Sequence, residues 1–265
     1  MVKKFPFCDA AFGRLLQGHG LNSFDGLWEL MAPAVEEPNQ RRGGWSGVWF
    51  LSLSDEKGEM HHFYLKRQQN HLSRRGPLLS ARPTFYREFV NILQCRHHNL
   101  PSLEVVYYDE RKKIDGGGGI RTVNHQAMLI TLAIENYQPF SHVLAGWDGL
   151  SGVLRCRYLR HIALTAAVMH GKRLSHNSFY PKHLLVNLEK NPPVRMIDLE
   201  RMGFQWRRVH QSVVDLETLI RRSAVLSPAE IEYFLNQYWQ ANGCGRSFAE
   251  LKKLVFERHE KRRNL

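Results

Sequence analysis

The chain has 265 residues, 43% hydrophobic and 23% charged, enough to bury a core in one domain or two tightly joined lobes. Its 37 Lys and Arg outnumber 25 Asp and Glu, giving a formal charge of +12 and an isoelectric point near 9.7, which favours phosphorylated partners or an anionic membrane surface. Four cysteines with no CxxC spacing and no apolar run near the length of a bilayer exclude a disulfide framework, a cysteine zinc site and a membrane span, and point to a cytoplasmic protein whose membrane association is peripheral.

In chain order, the N-terminal segment carries no assignable element. Arg41-Arg42-Gly43-Gly44-Trp45-Ser46-Gly47 then precedes a strand over Val48 to Leu53. Asp55 to Gly58 turns the chain, and His62 to Arg67 reads as the returning strand of a hairpin, with Lys66 near its end. Residues 68–83 are polar, basic and broken by Gly76, Pro77 and Pro83, and predict a loop. A helix follows with Thr84 as its N-cap. Phe85, Phe89, Ile92 and Leu93 share one face of it, and Glu88 falls on that face. A carboxylate turned inward needs a cation, and Lys66 is the candidate.

Strands over Leu103 to Tyr108 and Gln126 to Ile134 flank a hairpin connection at Gly116 to Gly119, which lacks the helix and Lys-Ser/Thr pair of a P-loop. From about Leu150 to Gly171 the spacing of Leu154, Tyr158, Ile162, Ala166 and Met169 predicts a helix. Short strands at Leu184 to Leu188 and Val194 to Asp198 come next, then helices near Ser212 to Ala224, Pro228 to Gln240 and Phe248 to Glu260. Basic clusters such as Arg207-Arg208, Arg221-Arg222 and the tail from Arg258 to Arg263 form no single stripe, so a nucleic-acid groove is not indicated.

A glycine-rich turn, a strand lysine, an inward helix glutamate, a polar loop and a strand-end aspartate occur in the order that phosphoryl transfer needs. Glycines let backbone amides approach phosphates, a lysine neutralises phosphate charge, a glutamate fixes that lysine, and an aspartate offers hard oxygens to magnesium. Taken singly, Gly43, Gly44 and Gly47 read more readily as a turn, Lys66 as a surface lysine and Asp198 as a strand-end capping acid, and it is their order and spacing that favour the functional reading. The 14 histidines show no HExxH or Cys/His zinc spacing.

The motifs RRGGWSGV (41–48), FYLKRQ (63–68), PTFYREF (83–89), HNSFYPKHLLV (176–186), IDLER (197–201) and DLETLIRR (215–222) together resemble the bacterial lipopolysaccharide core kinase family. This is the Kdo/WaaP/InaA-like branch of the protein-kinase-like superfamily, and the chain is most similar to its InaA-type members. The resemblance spans roughly residues 40–225. It implies an α+β bilobal fold, with an antiparallel sheet and one helix in an N-lobe over 1–134 and a mainly helical C-lobe over 135–265.

It further implies ATP and Mg2+ as cofactors and a sugar hydroxyl of the lipopolysaccharide inner core, a heptose, as acceptor. Gly43, Gly44, Ser46, Gly47, Lys66 and Glu88 would bind nucleotide, Asp198 would hold metal, and Leu129 to Glu135 would contact adenine. Residues 176–183 would form the catalytic loop with His176, Ser178, Lys182 and His183. Asp215 would brace that loop, or else be an acid favoured at a helix N-terminus. Glu200 either adds a second carboxylate at the metal or faces solvent. Lys182 either touches the transferring phosphate or is solvated.

Two departures matter. Ser178 stands where kinases carry the aspartate base, and His183 where most carry a metal-binding asparagine, so His183 reads better as a phosphate or substrate binder. The alternative function is therefore a pseudokinase that binds nucleotide or a partner without transfer.

Overall fold

The structure, a computed structural model, describes residues 5–41, 43–73, 81–117, 120–206, 208–242 and 245–263. Arg42, Gly76, Pro77, Gly118, Gly119 and Arg207, named above, lie outside the described residues, as does Cys244, one of the four cysteines. The chain divides into two compact units, Met1–Leu93 with Leu103–Ile134, and Gln94–Ser102 with Glu135–Leu265.

The first unit contains β1 (Phe7–Cys8), α1 (Gly13–Gly18), α2 (Phe24–Glu29), β2 (Asn39–Arg41), β3 (Gly44–Ser54), β4 (Met60–Gln69), β5 (Leu72–Ser73), β6 (Arg82–Pro83), most of α3 (Thr84–His97), β7 (Val105–Gly117) and β8 (Ile120–Leu132). Six strands form one antiparallel sheet in the order β1-β7-β8-β4-β3-β2. Because side chains alternate along a strand, β4 sends Phe63, Leu65 and Arg67 to one face and Tyr64, Lys66 and Gln68 to the other.

Phe63 and Leu65 pack with Leu51, Met128 and Ile130, and this face is covered by Leu16, Leu21 and Leu27 from the N-terminal segment. On the opposite face Phe89 of α3 stacks on Tyr108 with ring centroids 4.4 Å apart. The segment before β2 thus completes the core. Its two helices are six residues each, too short for a periodic signal. The strands flanking the four glycines extend to Gly117 and back to Ile120, longer than their apolar runs suggest, because cross-strand pairing continues through polar residues.

The second unit contains β9 (Gln138–Pro139), α4 (Phe140–Ala145), α5 (Gly152–Gly171), β10 (Leu174–Ser175), β11 (Leu184–Val186), β12 (Val194–Met196), β13 (Gly203–Phe204), α6 (Arg208–Arg221), α7 (Pro228–Asn242) and α8 (Phe248–Arg263). Its core is α5 against α7, with Leu159, Ile162, Ala163 and Ala166 meeting a helix that buries Phe234, Leu235 and Tyr238. Ser227 with Glu230 and Ser247 with Glu250 form reciprocal capping boxes that start α7 and α8. Glu217 of α6, fully buried, is 2.7 Å from Arg221 and 3.6 Å from both Arg258 and His259, which ties α8 to α6.

The glycine-rich turn is the β2–β3 hairpin, so the strand begins at Gly44 and not at Val48. A Cβ on Gly44 would lie 2.1 Å from the Gln69 carbonyl oxygen and 2.4 Å from the Asn70 carbonyl carbon, backbone atoms that cannot move without tearing β4. Gly43 has φ +75° with nothing near its missing Cβ. Gly44→Ala is therefore expected to cost about 2–3 kcal/mol through overpacking, whereas Gly43→Ala costs about 1–2 kcal/mol for the left-handed backbone alone. Denaturant melts of the two variants check this, and a Gly43 variant less stable than the Gly44 variant would contradict it.

Candidate active site

In the first unit, Lys66 Nζ lies 2.6 Å from Glu88 Oε1, with side chains 18% and 4% exposed. A second contact lies two residues along the strand and one helical turn back. Gln68 Oε1 accepts from Thr84 Oγ1 and from the Phe85 amide, both at 2.9 Å, while Gln68 Nε2 donates to His71 O at 2.6 Å. Strand neighbours at i and i+2 are about 7 Å apart, and helix neighbours at i and i+4 about 6 Å, so Lys66–Glu88 and Gln68–Thr84 fit as two rungs of one ladder. Thr84 is the first residue of α3 and not its N-cap, because Gln68 supplies the capping oxygen. A buried glutamine is indistinguishable from a surface one in sequence, which hides this role.

The glycines have packing reasons of their own. Gly44 sits against β4 as described, and a Cβ on Gly47 would lie 2.6 Å from the Trp49 ring, which itself carries the Arg67 guanidinium 4.0 Å from its centroid. Ser46 pairs in register with Gln68. Of the segment expected to contact adenine, Leu129 to Leu132 remain inside β8, paired with β4 and β7, and only 133–135 leave the sheet.

In the second unit the loop after β10 hangs on Asp215. This carboxylate is fully buried, and it accepts the His176 amide at 2.7 Å and the Asn177 amide at 2.8 Å, with His170 Nε2 at 3.1 Å. His170 in turn contacts the Tyr238 hydroxyl at 2.9 Å. Because α6 starts at Arg208, Asp215 lies two turns inside the helix, so the macrodipole reading fails and the bracing one holds.

His176 is fully buried, and burial holds its imidazole below the usual range and so neutral. Its Nε2–H donates to Ile197 O at 3.1 Å, since a carbonyl only accepts. The catalytic role expected for His176 therefore becomes a positioning one: its ring is out of reach of a ligand and holds the residue before Asp198.

The same two loops are joined by the Ile197 amide on His183 O at 3.0 Å and by Asn177 Nδ2 on Arg201 O at 3.0 Å. Asn177 and Asp198 both adopt left-handed backbone, φ 59° and 56°, which these short polar residues tolerate. Strand β12 ends at Met196, and Asp198 stands at the turn into a single 3-10 turn, Leu199–Arg201.

Asp198 is 47% exposed, and its Oδ2 lies 3.1 Å from His183 Nε2. His183 Nδ1 donates to Ser178 O at 2.9 Å, an oxygen that also takes the Tyr180 amide at 2.7 Å. Ser178 is buried and Lys182 exposed. Glu200 is half-buried and has interactions of its own, so it does not simply face solvent. Outside this loop, Asp55, Glu59 and His61 come within 4.8 Å of one another at the β3–β4 turn, although no zinc spacing marks them, and Asp55 Oδ1 there accepts the Lys57 and Glu59 amides.

A sheet-and-helix unit carrying a buried Lys–Glu pair, followed by a mainly helical unit with a braced loop and a strand-end aspartate, defines a protein-kinase-like fold. The solved structure of WaaP in complex with acyl carrier protein matches 97% of this chain and 99% of its own with a TM-score of 0.66 at 17% identity. The model of the lipopolysaccharide kinase (Kdo/WaaP) family matches residues 25–238, and the chain belongs to that family. Protein InaA of Escherichia coli strain K12 is 28% identical over 193 residues, 71% of this chain and 82% of InaA.

If Gln68 sets the register of α3, Gln68→Leu should free the first turn of the helix and cost about 1–3 kcal/mol for the Phe85 amide left unsatisfied, the Thr84 hydroxyl keeping its contact with His71 Nδ1 at 3.1 Å. Hydrogen exchange at the amides of Phe85 to Phe89 checks it. Unchanged protection there would show that α3 is placed by its apolar face alone.

Proposed function

We propose that the chain is an ATP- and magnesium-dependent kinase that phosphorylates a heptose hydroxyl of the lipopolysaccharide inner core, working at the cytoplasmic face of the membrane. The observation that carries this reading is the Lys66–Glu88 pair. A buried ion pair contributes little net stability compared with apolar residues of the same volume. Its use here is to hold an ammonium at one point, still 18% exposed, where it can neutralise phosphate charge.

The residues of the second unit fit a divalent ion. Asp198 offers a half-exposed carboxylate on a constrained turn, and its Oδ2 and His183 Nε2 converge at 3.1 Å. Adjacent ligands of an octahedral magnesium ion are about 3 Å apart, given metal–oxygen distances of about 2.0–2.1 Å. Asp198 would hold the ion, with Glu200 close in sequence, and the ion when bound neutralises phosphate charge. The imidazole beside the carboxylate favours softer ions than magnesium, so manganese is expected to substitute well. His183 also fixes the Ser178 carbonyl, which sets the path of the loop past the acceptor position. Lys182, on the same turn, adds exposed positive charge.

Ser178 favours a second reading, a nucleotide-binding module without transfer, because a serine hydroxyl cannot take the acceptor's proton as a carboxylate does. Phosphoryl transfer depends mostly on positioning and charge neutralisation, and a general base contributes about 10²- to 10⁴-fold. Slow transfer is thus expected and not none.

Purified protein with radiolabelled ATP, magnesium or manganese, and dephosphorylated lipopolysaccharide core separates the readings. Wild type should label the sugar slowly, Asp198→Ala not at all, and Ser178→Asp faster by at most about 10²- to 10⁴-fold. Tight ATP binding with no labelling by either wild type or Ser178→Asp would establish the module reading instead.

A further inference from the structure

The turn between β3 and β4 gathers three metal-ligating side chains that the kinase reading does not use. Asp55, Glu59 and His61 each bring a donor atom within 4.8 Å of the other two. The hairpin produces this meeting. Residues i and i+2 of an extended chain share a face, which puts Glu59 and His61 on one side of the segment entering β4. The Asp55 amide donates to Glu59 O at 2.9 Å, which sets Asp55 across the turn from them.

Asp55 is preset for a cation. Its Oδ1 accepts the Lys57 amide at 2.8 Å and the Glu59 amide at 2.9 Å, which fixes the carboxylate and leaves Oδ2 3.3 Å from His61 Nε2. The Glu59 amide is also the main cause that holds this carboxyl below its usual range, so it is ionised. Zinc lies about 2.0–2.2 Å from imidazole nitrogen and carboxylate oxygen, and a tetrahedron of such bonds separates adjacent ligand atoms by about 3.3–3.6 Å. The Asp55–His61 separation fits that edge. Glu59 is exposed, so its carboxylate has room to close the remaining distance. In a chain of formal charge +12, positions 55–59 hold three acids, Asp55, Glu56 and Glu59, against Lys57 alone, a local negative charge that attracts a cation.

The cluster also borders open space. A cavity of about 460 Å³ is lined by α1 and this turn, with Asp55 and His61 in its wall. His19, just after α1, lines it too, and its Nε2–H donates to Ser54 O at 2.8 Å because a carbonyl only accepts. Nδ1 of the neutral ring then carries a lone pair. Three protein ligands leave the fourth tetrahedral position to water or to a donor entering from the cavity.

We propose that Asp55, Glu59 and His61 form a zinc site in the first unit, with its fourth coordination position open to this cavity. The site is independent of whether the chain transfers phosphate.

Cobalt(II) tests it, because tetrahedral Co2+ absorbs visible light far more strongly than octahedral Co2+. Titration of the full chain with Co2+ should show one tetrahedral ion per chain, displaced by Zn2+, and Asp198→Ala should bind it as wild type does. His61→Gln and Asp55→Asn should each weaken binding about tenfold or more. Asparagine keeps an oxygen for the Lys57 and Glu59 amides, so the turn should persist in Asp55→Asn. Should His61→Gln fail to fold, Glu59→Gln, at an exposed position, takes its place. Absence of a tetrahedral band in wild type, or affinity unchanged in the folded turn variants, overturns the proposal. A band lost in Asp198→Ala and kept in His61→Gln assigns the ion to the loop of the second unit and overturns it equally.

Discussion

A carboxylate taken out of water must be met by a cation or by N–H donors, and two such carboxylates organise this chain. Glu88, 3% exposed, can be buried only because Lys66 meets it. Asp215, fully buried, can stay there only because two consecutive amides and His170 converge on it. Each therefore dictates more than its own position. Glu88 fixes where an ammonium stands on the sheet, and Asp215 fixes the path of the loop from His176 onward. The rest of the polar core in each unit follows: Gln68 keeps the helix in register with the strand, and His176 and Asn177, once placed by Asp215, hold the backbone on either side of Asp198.

The chemistry of the loop is altered while its scaffold is kept. Ser178 offers no base, yet its carbonyl is held by His183, and His183 reaches Asp198. Selection for a bare fold would not need two buried polar networks whose desolvation is costly. Their presence fits a chain that still places charge for a ligand. Lys182 and Arg222, which have no carboxylate within ion-pair distance among the described residues, add the same sign of charge at the loop, in keeping with a formal +12 overall.

Legibility in the sequence tracked local rules. Glu88 stood out because a charged residue fell on an apolar helix face, and Lys66 because it closed an apolar strand; both signals need only periodicity. Asp215 is ambiguous in sequence because α6 opens with Arg208, Val209, His210 and Gln211, which carry no start signal, so the pattern starts the helix at Ser212 and puts the acid in its first turn. The helices α1 and α2 were invisible at six residues each. The capping role of Gln68 is a product of tertiary folding between residues 16 positions apart, and no local pattern encodes it.

The account stands or falls on whether Lys66 is held for a nucleotide. Calorimetric titration of the full chain with ATP in magnesium, repeated for Lys66→Met, tests it most directly. The account predicts saturable binding by wild type and affinity lower by about tenfold or more in the folded variant, the loss expected for a charge-assisted contact. Equal affinity in the two proteins, or no binding by wild type with either magnesium or manganese present, would contradict it.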